Sequence, residues 1–392
     1  MKKQNIGIID INQHVLGVGG VETVGYILKK ELTENGFCVY NLFFTQKSKK
    51  SKTDLLLPYS KTINCKENYD FLNDAIKKHQ IKILIIQGGY KEELLKLCLE
   101  VKRYQKIKLI YPNHFHPLIA IKEIDDYQEK YIQEGRNVLI RATRHFICKF
   151  KRYFYSRRSI KLIKKEWQRP YLDDIDAIIT LNNRYTEIVK SLHKSNTNKF
   201  YTIPNPIATN KLNDYVEKEN IILFVGRLTS QKRVDRLLRI WRHLYKEFDD
   251  WKLIIVGGGR FYEEYKSIAK DLQLRNVEFV GQQPSDEYFK KSKIVCMTSS
   301  HEAQPMVLIE AQQWGCVPVA YNSFEAATDI IQNYHNGVLV TPFNEKEYTK
   351  ALRTLITNNE MREMLAVNGK EFIKKFDSKV IVKEWIKLFK NL

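Results

Sequence analysis

The stretch Ser299-Ser300-His301-Glu302-Ala303-Gln304-Pro305-Met306-Val307-Leu308-Ile309-Glu310-Ala311, closed by Gly315, decides how the rest of the chain is read. An apolar run at 294–297 leads into it, the pattern of a buried strand. Pro305 suits a first helical position, because its φ is fixed and no N–H is needed there. The order is strand, loop, helix N-terminus. Peptide N–H groups of Met306, Val307 and Leu308 are expected to point out of that helix start, where the dipole favours an anion such as a phosphate. Glu310 lies one turn further in, where a carboxylate suits the vicinal hydroxyls of a ribose better than a phosphate. Glu302, in the loop, would face the other end of the same ligand. A diphosphate flanked by a nucleoside and a sugar fits that order.

Upstream, an apolar strand at 221–225 runs into Gly226-Arg227-Leu228-Thr229-Ser230-Gln231-Lys232-Arg233 and then a helix through Trp241. Arg227 leaves at the strand end and Lys232 near the helix start, so both are expected to converge on one anion. Another buried strand ends in Gly257-Gly258-Gly259, where the absence of Cβ atoms lets the chain pass close to a nucleotide, and 277–280 reads as the next strand. Together with Glu302 and Glu310, which have seven residues between them, these segments resemble the donor half of retaining glycosyltransferases of family 4. The resemblance implies an α/β chain of the GT-B class, with two Rossmann-like domains whose parallel sheets face an interdomain cleft. By the same resemblance, backbone groups near Val280 recognise the base, and the final helix, 377–392, crosses back to the first domain. One departure stands out: Ala303-Gln304 follow Glu302 where the family usually has Gly and an aromatic residue.

The first half alternates strand and helix as well. A strand at 6–10 precedes Val15-Leu16-Gly17-Val18-Gly19-Gly20-Val21-Glu22 and an amphipathic helix. Gly19 and Gly20 allow close backbone approach, so strand, glycine loop and helix make a phosphate-approach site, or else a plain tight turn. The stretch is similar to the family's G-G-x-E loop. Further strands read at 39–44, 81–86 and 107–111, the last running into Pro112-Asn113-His114-Phe115-His116-Pro117. Ligands of open parallel sheets bind off such strand ends. One histidine, His114 in preference to His116, could orient the sugar or acceptor; the alternative is that both bond loop carbonyls. Asp173-Asp174-Ile175-Asp176 could suggest a metal-diphosphate site but reads better as the turn before the strand at 177–181, and no metal ligand set is expected. Prolines 204 and 206 suit a connector, giving expected domains of 1–203 and 204–376.

The length of 392 residues suits two domains, and 43% hydrophobic content excludes wholesale disorder. No run reaches the roughly 18 to 20 apolar residues that cross a bilayer, and the start has no signal-peptide core, so a cytoplasmic location is expected. Six scattered cysteines lack zinc or redox spacing. The net charge of +20 argues for an anionic partner surface. Much of it lies in 136–169, where basic residues alternate with aromatic and aliphatic ones, the composition of an interfacial element on an anionic membrane. A charged face whose apolar side packs on the domain is the alternative. Nucleic acid is not expected, because no recognition module accompanies the charge.

The resemblance implies transfer of a sugar from a nucleotide diphosphate sugar, with UDP the expected nucleotide, to a hydroxyl of a glycan or lipid-linked acceptor in bacterial surface polysaccharide synthesis. Anomeric configuration would be retained. No cofactor is expected: Arg227, Lys232 and the helix-start amides would stabilise the departing diphosphate in place of a metal. Glu310 would hold the ribose and Glu302 the sugar. The rivals are a basic nucleic-acid-binding protein, a non-catalytic GT-B scaffold on a membrane, and a GT-B sugar-nucleotide epimerase.

Overall fold

The apolar runs of the sequence become the strands of two parallel sheets. The computed structural model describes residues 4–15, 20–59, 61–88, 91–119, 121, 143, 147–148, 158–193, 198–208 and 217–392. The first sheet contains β1 (Asn5–Asn12), β2 (Val39–Thr45), β3 (Asp54–Leu56), β4 (Ile81–Ile86), β5 (Lys108–Pro112), β6 (Ala177–Thr180) and β7 (Phe200–Thr202). Its order is β3-β2-β1-β4-β5-β6-β7, and every pairing is parallel. The second contains β8 (Glu219–Val225), β9 (Lys252–Val256), β10 (Val277–Gly281), β11 (Ser292–Met297), β12 (Val317–Tyr321) and β13 (Val338–Val340). Its order, β10-β9-β8-β11-β12-β13, is again wholly parallel. Parallel strands covered on both faces need continuous apolar runs, and Ile83 to Ile86 and Ile222 to Phe224 supply them, each residue buried.

The chain divides into two compact units: Met1–Pro117, Lys164–Ala208 and Lys375–Leu392 in the first, Leu118–Ile163 and Thr209–Lys374 in the second. The first unit extends a few residues past the prolines because Ile207 is tied into it by backbone. Its N–H donates to Phe376 O at 2.9 Å and its carbonyl accepts from Ser378 N–H at 2.8 Å. The helix Ser378–Asn391 then lays Ile381, Val382, Trp385 and Phe389 into the core formed by Ile6, Ile8, Ile83 and Ile110. In the second unit Phe224, Ile255 and Ile294 pack with Leu237 and Trp241 of the helix Val234–Arg242. Each such buried side chain contributes roughly 1.5–3 kcal/mol of burial free energy.

In each sheet the chain builds outward on one side of its first strand and then returns to the other side, between β1 and β4 and between β8 and β11. Such switch points open a crevice at the carboxyl ends of the strands. Two edge strands, β3 and β7, are additions to the sequence reading. Neither carries a continuous apolar run, and both are three residues long.

Candidate active site

At the switch point of the second sheet, β8 ends at Val225 and the backbone passes through Gly226 to an exposed Arg227. A 3-10 turn, Ser230–Lys232, follows, and Arg233 then adopts a left-handed conformation with φ 48° before the next helix begins. That conformation costs a non-glycine residue about 1–2 kcal/mol. It is held because Arg233 is buried and its guanidinium meets the Asp235 carboxylate at 3.3 Å. Burial alone would raise the Asp235 carboxyl, but Arg233 and Arg239 outweigh it and hold the group below the usual carboxylate range. The kink fixes where Lys232 points.

The loop after β11 is stitched to this turn. Thr298 Oγ1 donates to the carbonyls of Lys232 and Arg233 at 3.1 and 3.0 Å, Ser300 N–H donates to Gln231 O at 2.8 Å, and Gln231 Nε2 donates to His301 O at 2.6 Å. The stitching delivers Glu302 to Lys232, whose ammonium lies 2.5 Å from the Glu302 carboxylate. Both side chains are largely shielded, 16% and 11% exposed, so the pair is poorly screened by water. Gln231 and Thr298, which make most of this seam, escaped the sequence reading. Their signal was their position: Gln231 directly precedes Lys232, and Thr298 opens the loop that carries Glu302 after the neighbouring strand.

Past the loop, one expectation is corrected. Pro305 is the N-cap rather than the first helical residue, and the helix runs Met306–Gln313. Leu308 N–H donates to Pro305 O at 3.1 Å, so the outward amides are those of Met306 and Val307, not three in a row. The shift arises because a proline at the cap leaves its carbonyl free to close a tight first turn. Glu310 lies on this helix, half-buried. Gly315 ends it in a left-handed conformation, φ 69°, with Cys316 N–H donating to Ala311 O at 2.8 Å.

The glycines after β9 have a structural reason of their own. A Cβ on Gly257 would stand 1.9 Å from the Gly226 carbonyl oxygen, whereas one on Gly258 would meet only Gln282 at 3.7 Å. Gly257 therefore serves the close approach of two strand ends, whereas Gly258 has room for a Cβ in ordinary contact with Gln282. In β10 the register with β9 shifts between Phe279 and Gly281, a bulge centred on Val280.

In the first unit Gly20 opens the helix Gly20–Glu34, while Gly19 lies outside the described residues. Asn12 Nδ2 donates to Glu22 at 3.1 Å, joining the end of β1 to that helix. His114 follows β5, with its Nε2 against Gln87 Oε1 at the end of β4. Burial pushes its pKa down to about 4, against the opposing pull of Asp10 and Asn205, so the ring is neutral near pH 7 and can donate one N–H to Gln87. His116 is buried with its ring edge-on to Tyr185 at 4.8 Å. Asp176 is bound by Lys102 at 2.5 Å, Lys108 at 3.2 Å and the Leu109 N–H at 2.8 Å. Burial raises its carboxyl, but these partners together hold it below the ordinary range, which is the behaviour of a structural anchor. Among the described residues no cluster of His, Cys, Asp and Glu has the arrangement of a metal site.

Residues 209–372 match the family model described as "Glycosyl transferases group 1". The chain is 32% identical over 174 residues to the GalNAc-alpha-(1->4)-GalNAc-alpha-(1->3)-diNAcBac-PP-undecaprenol alpha-1,4-N-acetyl-D-galactosaminyltransferase of Campylobacter jejuni, a match covering 44% of this chain and 48% of that one. It is 32% identical over 181 residues to the amylovoran biosynthesis glycosyltransferase AmsD of Erwinia amylovora, covering 45% and 50%. The chain thus spans about half the length of these curated relatives. HepE of Anabaena, solved in complex with UDP-glucose, superposes with a TM-score of 0.73 at 13% identity, covering 99% of this chain and 100% of that one. The fold is GT-B, and the match to the group 1 glycosyltransferase model falls in the second unit.

Proposed function

We propose that the protein is a retaining, metal-independent glycosyltransferase that moves a sugar from a UDP-sugar to a hydroxyl of a glycan or lipid-linked acceptor in bacterial surface polysaccharide synthesis. The observation that carries this reading is the shielded Lys232–Glu302 pair at the switch point of the second sheet, inside the segment that matches the family model. The names of the Campylobacter and Erwinia relatives support a lipid-linked glycan acceptor and a polysaccharide product, and the Anabaena structure supports UDP.

In the donor-free protein, Lys232 and Glu302 neutralise each other and hold their positions. When a donor enters, Lys232 turns to the diphosphate and Glu302 takes hydroxyls of the transferred sugar. Lys232, Arg227 and the amides of Met306 and Val307 then stabilise the charge that grows on the departing diphosphate. That supply of positive charge is the reason for assigning no metal. Glu310 takes the ribose, the backbone at Val280 the base, and Gly258 the close passage of the nucleotide. His114 stands on the acceptor side. The leaving phosphate accepts the proton of the incoming hydroxyl.

The basic segment 136–169 lies mostly outside the described residues. In its described part, residues 158–167 are helical; Ile163 and Trp167 are buried, while Ile160 and Leu162 are exposed beside Arg158, Lys161 and Lys165. We assign this exposed face to an anionic membrane surface. Vesicles containing phosphatidylglycerol are expected to bind the protein and to release it as salt rises; salt-insensitive or absent binding contradicts the assignment.

A panel of nucleotide sugars assayed by thermal stabilisation and by transfer tests the whole reading. A UDP-sugar is expected to raise Tm and to support transfer that survives EDTA. No stabilisation by any nucleotide sugar contradicts the reading, and loss of transfer in EDTA contradicts the metal-independent part.

A further inference from the structure

The switch point of the first sheet holds a polar cluster that the donor chemistry does not use. Asp10, near the end of β1, bonds His14 Nε2 at 3.0 Å through Oδ2, while its Oδ1 accepts the Ile11 N–H at 2.6 Å. Both side chains are buried, Asp10 to 3% and His14 to 4% exposure. Gln87, directly after β4 on the adjacent strand, is 1% exposed, and its carbonyl oxygen is engaged by His114. The four groups form one cluster: His14 meets Asp10, His114 meets Gln87, and the Gln87 N–H donates to Ile9 O, next to Asp10, at 2.9 Å.

The space around the pair is built for it. A Cβ on Gly88 would lie 2.6 Å from Asp10 Oδ1, and one on Gly25 2.6 Å from the His14 ring. Glycine at both positions lets strand and helix close on the dyad. Yet three buried polar atoms of the cluster are left with no partner among the described residues, His14 Nδ1, Gln87 Nε2 and His114 Nδ1. Unpaired buried polar groups cost about 1–3 kcal/mol each, so a cluster that keeps three of them calls for an explanation.

Their chemistry defines the occupant. With Nε2–H of His14 given to the Asp10 carboxylate, Nδ1 is a bare acceptor. With Gln87 Oε1 taken by neutral His114, the Gln87 amide is a spare donor. One acceptor and one donor at the ends of adjacent strands complement a group that both donates and accepts, which is a hydroxyl.

We propose that Asp10, His14 and Gln87 form a sugar-hydroxyl subsite of the first unit, in which an acceptor hydroxyl donates to His14 Nδ1 and accepts from Gln87 Nε2. Asp10 is the positioning residue that fixes the imidazole tautomer. The assignment rests on the transferase reading, which gives the protein reason to hold a second sugar besides the donor.

The test uses full-length protein labelled with 15N-histidine, titrated to tens of millimolar with the α-methyl glycosides of glucose, galactose, GlcNAc and GalNAc, with His14→Gln serving to assign the His14 ring signal. At least one glycoside is expected to move the Nδ1 resonance of His14 in the direction of a newly accepted hydrogen bond. Gln87→Met, which preserves shape and removes the Nε2 donor together with the oxygen that His114 engages, is expected to weaken that response about tenfold. A silent His14 resonance with all four glycosides overturns the subsite, as does a Gln87→Met protein that responds like the wild type. UDP is titrated in the same samples: glycoside silence with UDP binding sinks the subsite alone, whereas a glycoside response without UDP binding upholds the subsite and sinks the donor reading.

Discussion

The two parallel sheets reverse strand order in the same way, between β1 and β4 and between β8 and β11, yet they arm the two crevices with different chemistry. The second unit places an ammonium, a carboxylate and helix-start amides there, with Lys232 and Glu302 at 2.5 Å. The first places a neutral imidazole, a carboxamide and an Asp–His pair, with His14 and Asp10 at 3.0 Å. Fixed charge suits a diphosphate, whose own charge must be balanced as it departs. Groups that offer single hydrogen bonds suit hydroxyls. One topology thus provides two crevices, and the side chains at the strand ends determine what each receives.

The sharpest way to break this contrast is Lys232→Ala. It is expected to lower turnover by about 2.7–4 kcal/mol, the usual worth of one oxyanion-type donor, while leaving the glycoside response of His14 intact. Steady-state rates with a UDP-sugar donor measure it, and an unchanged rate removes the ammonium from the mechanism. Next in size is Gly257→Ala. Its φ of 143° and the Gly226 oxygen 1.9 Å from the new Cβ leave no strain-free position, so chemical denaturation is expected to show about 3 kcal/mol of lost stability. Gly258→Ala, with nothing nearer than 3.7 Å, serves as the control and is expected to cost less than about 1 kcal/mol.

The pH dependence separates the units further. Burial lowers the His114 pKa from 6.5 to about 4, so between those values the unfolded chain binds more protons than the folded one. The stability from the neutral ring is fully present above pH 6.5 and is lost as pH falls toward 4. The loss is on the order of 1–3 kcal/mol. Unfolding curves across this window, compared with His114→Gln, are expected to show a shallower slope in the variant; parallel slopes contradict it. The smallest effect is ionic. Raising salt from 0.1 to 1 M shortens the screening length from about 10 to 3 Å, so UDP affinity is expected to fall a few-fold while glycoside affinity stays level. Equal salt dependence of the two erases the contrast.

Much of the fold was legible in the chain because doubly covered parallel strands announce themselves as apolar runs. Ile81–Ile86 and Ala177–Thr180 lie where the sequence placed strands. Gly315 was legible as a helix stop because only glycine takes that left-handed position without cost. Pro305 misled by one residue, since the same ring geometry fits the cap and the first helical position. The edge strands β3 and β7 escaped because a half-covered edge needs no apolar run. At the site, the identities of Lys232 and Glu302 were legible but their contact was not: 70 residues separate them, and only the pairing of β8 with β11 makes them neighbours. Asp10, His14 and Gln87 escaped for the same reason. Each looks ordinary at the end of its own strand and becomes a cluster only once β1 lies beside β4.

Calorimetric titration of UDP into the wild type and Lys232→Ala tests the central claim most directly. The account predicts saturable binding to the wild type and at least tenfold weaker binding to the variant, about 1.4 kcal/mol. Equal affinity in both proteins, or no binding to the wild type, contradicts it.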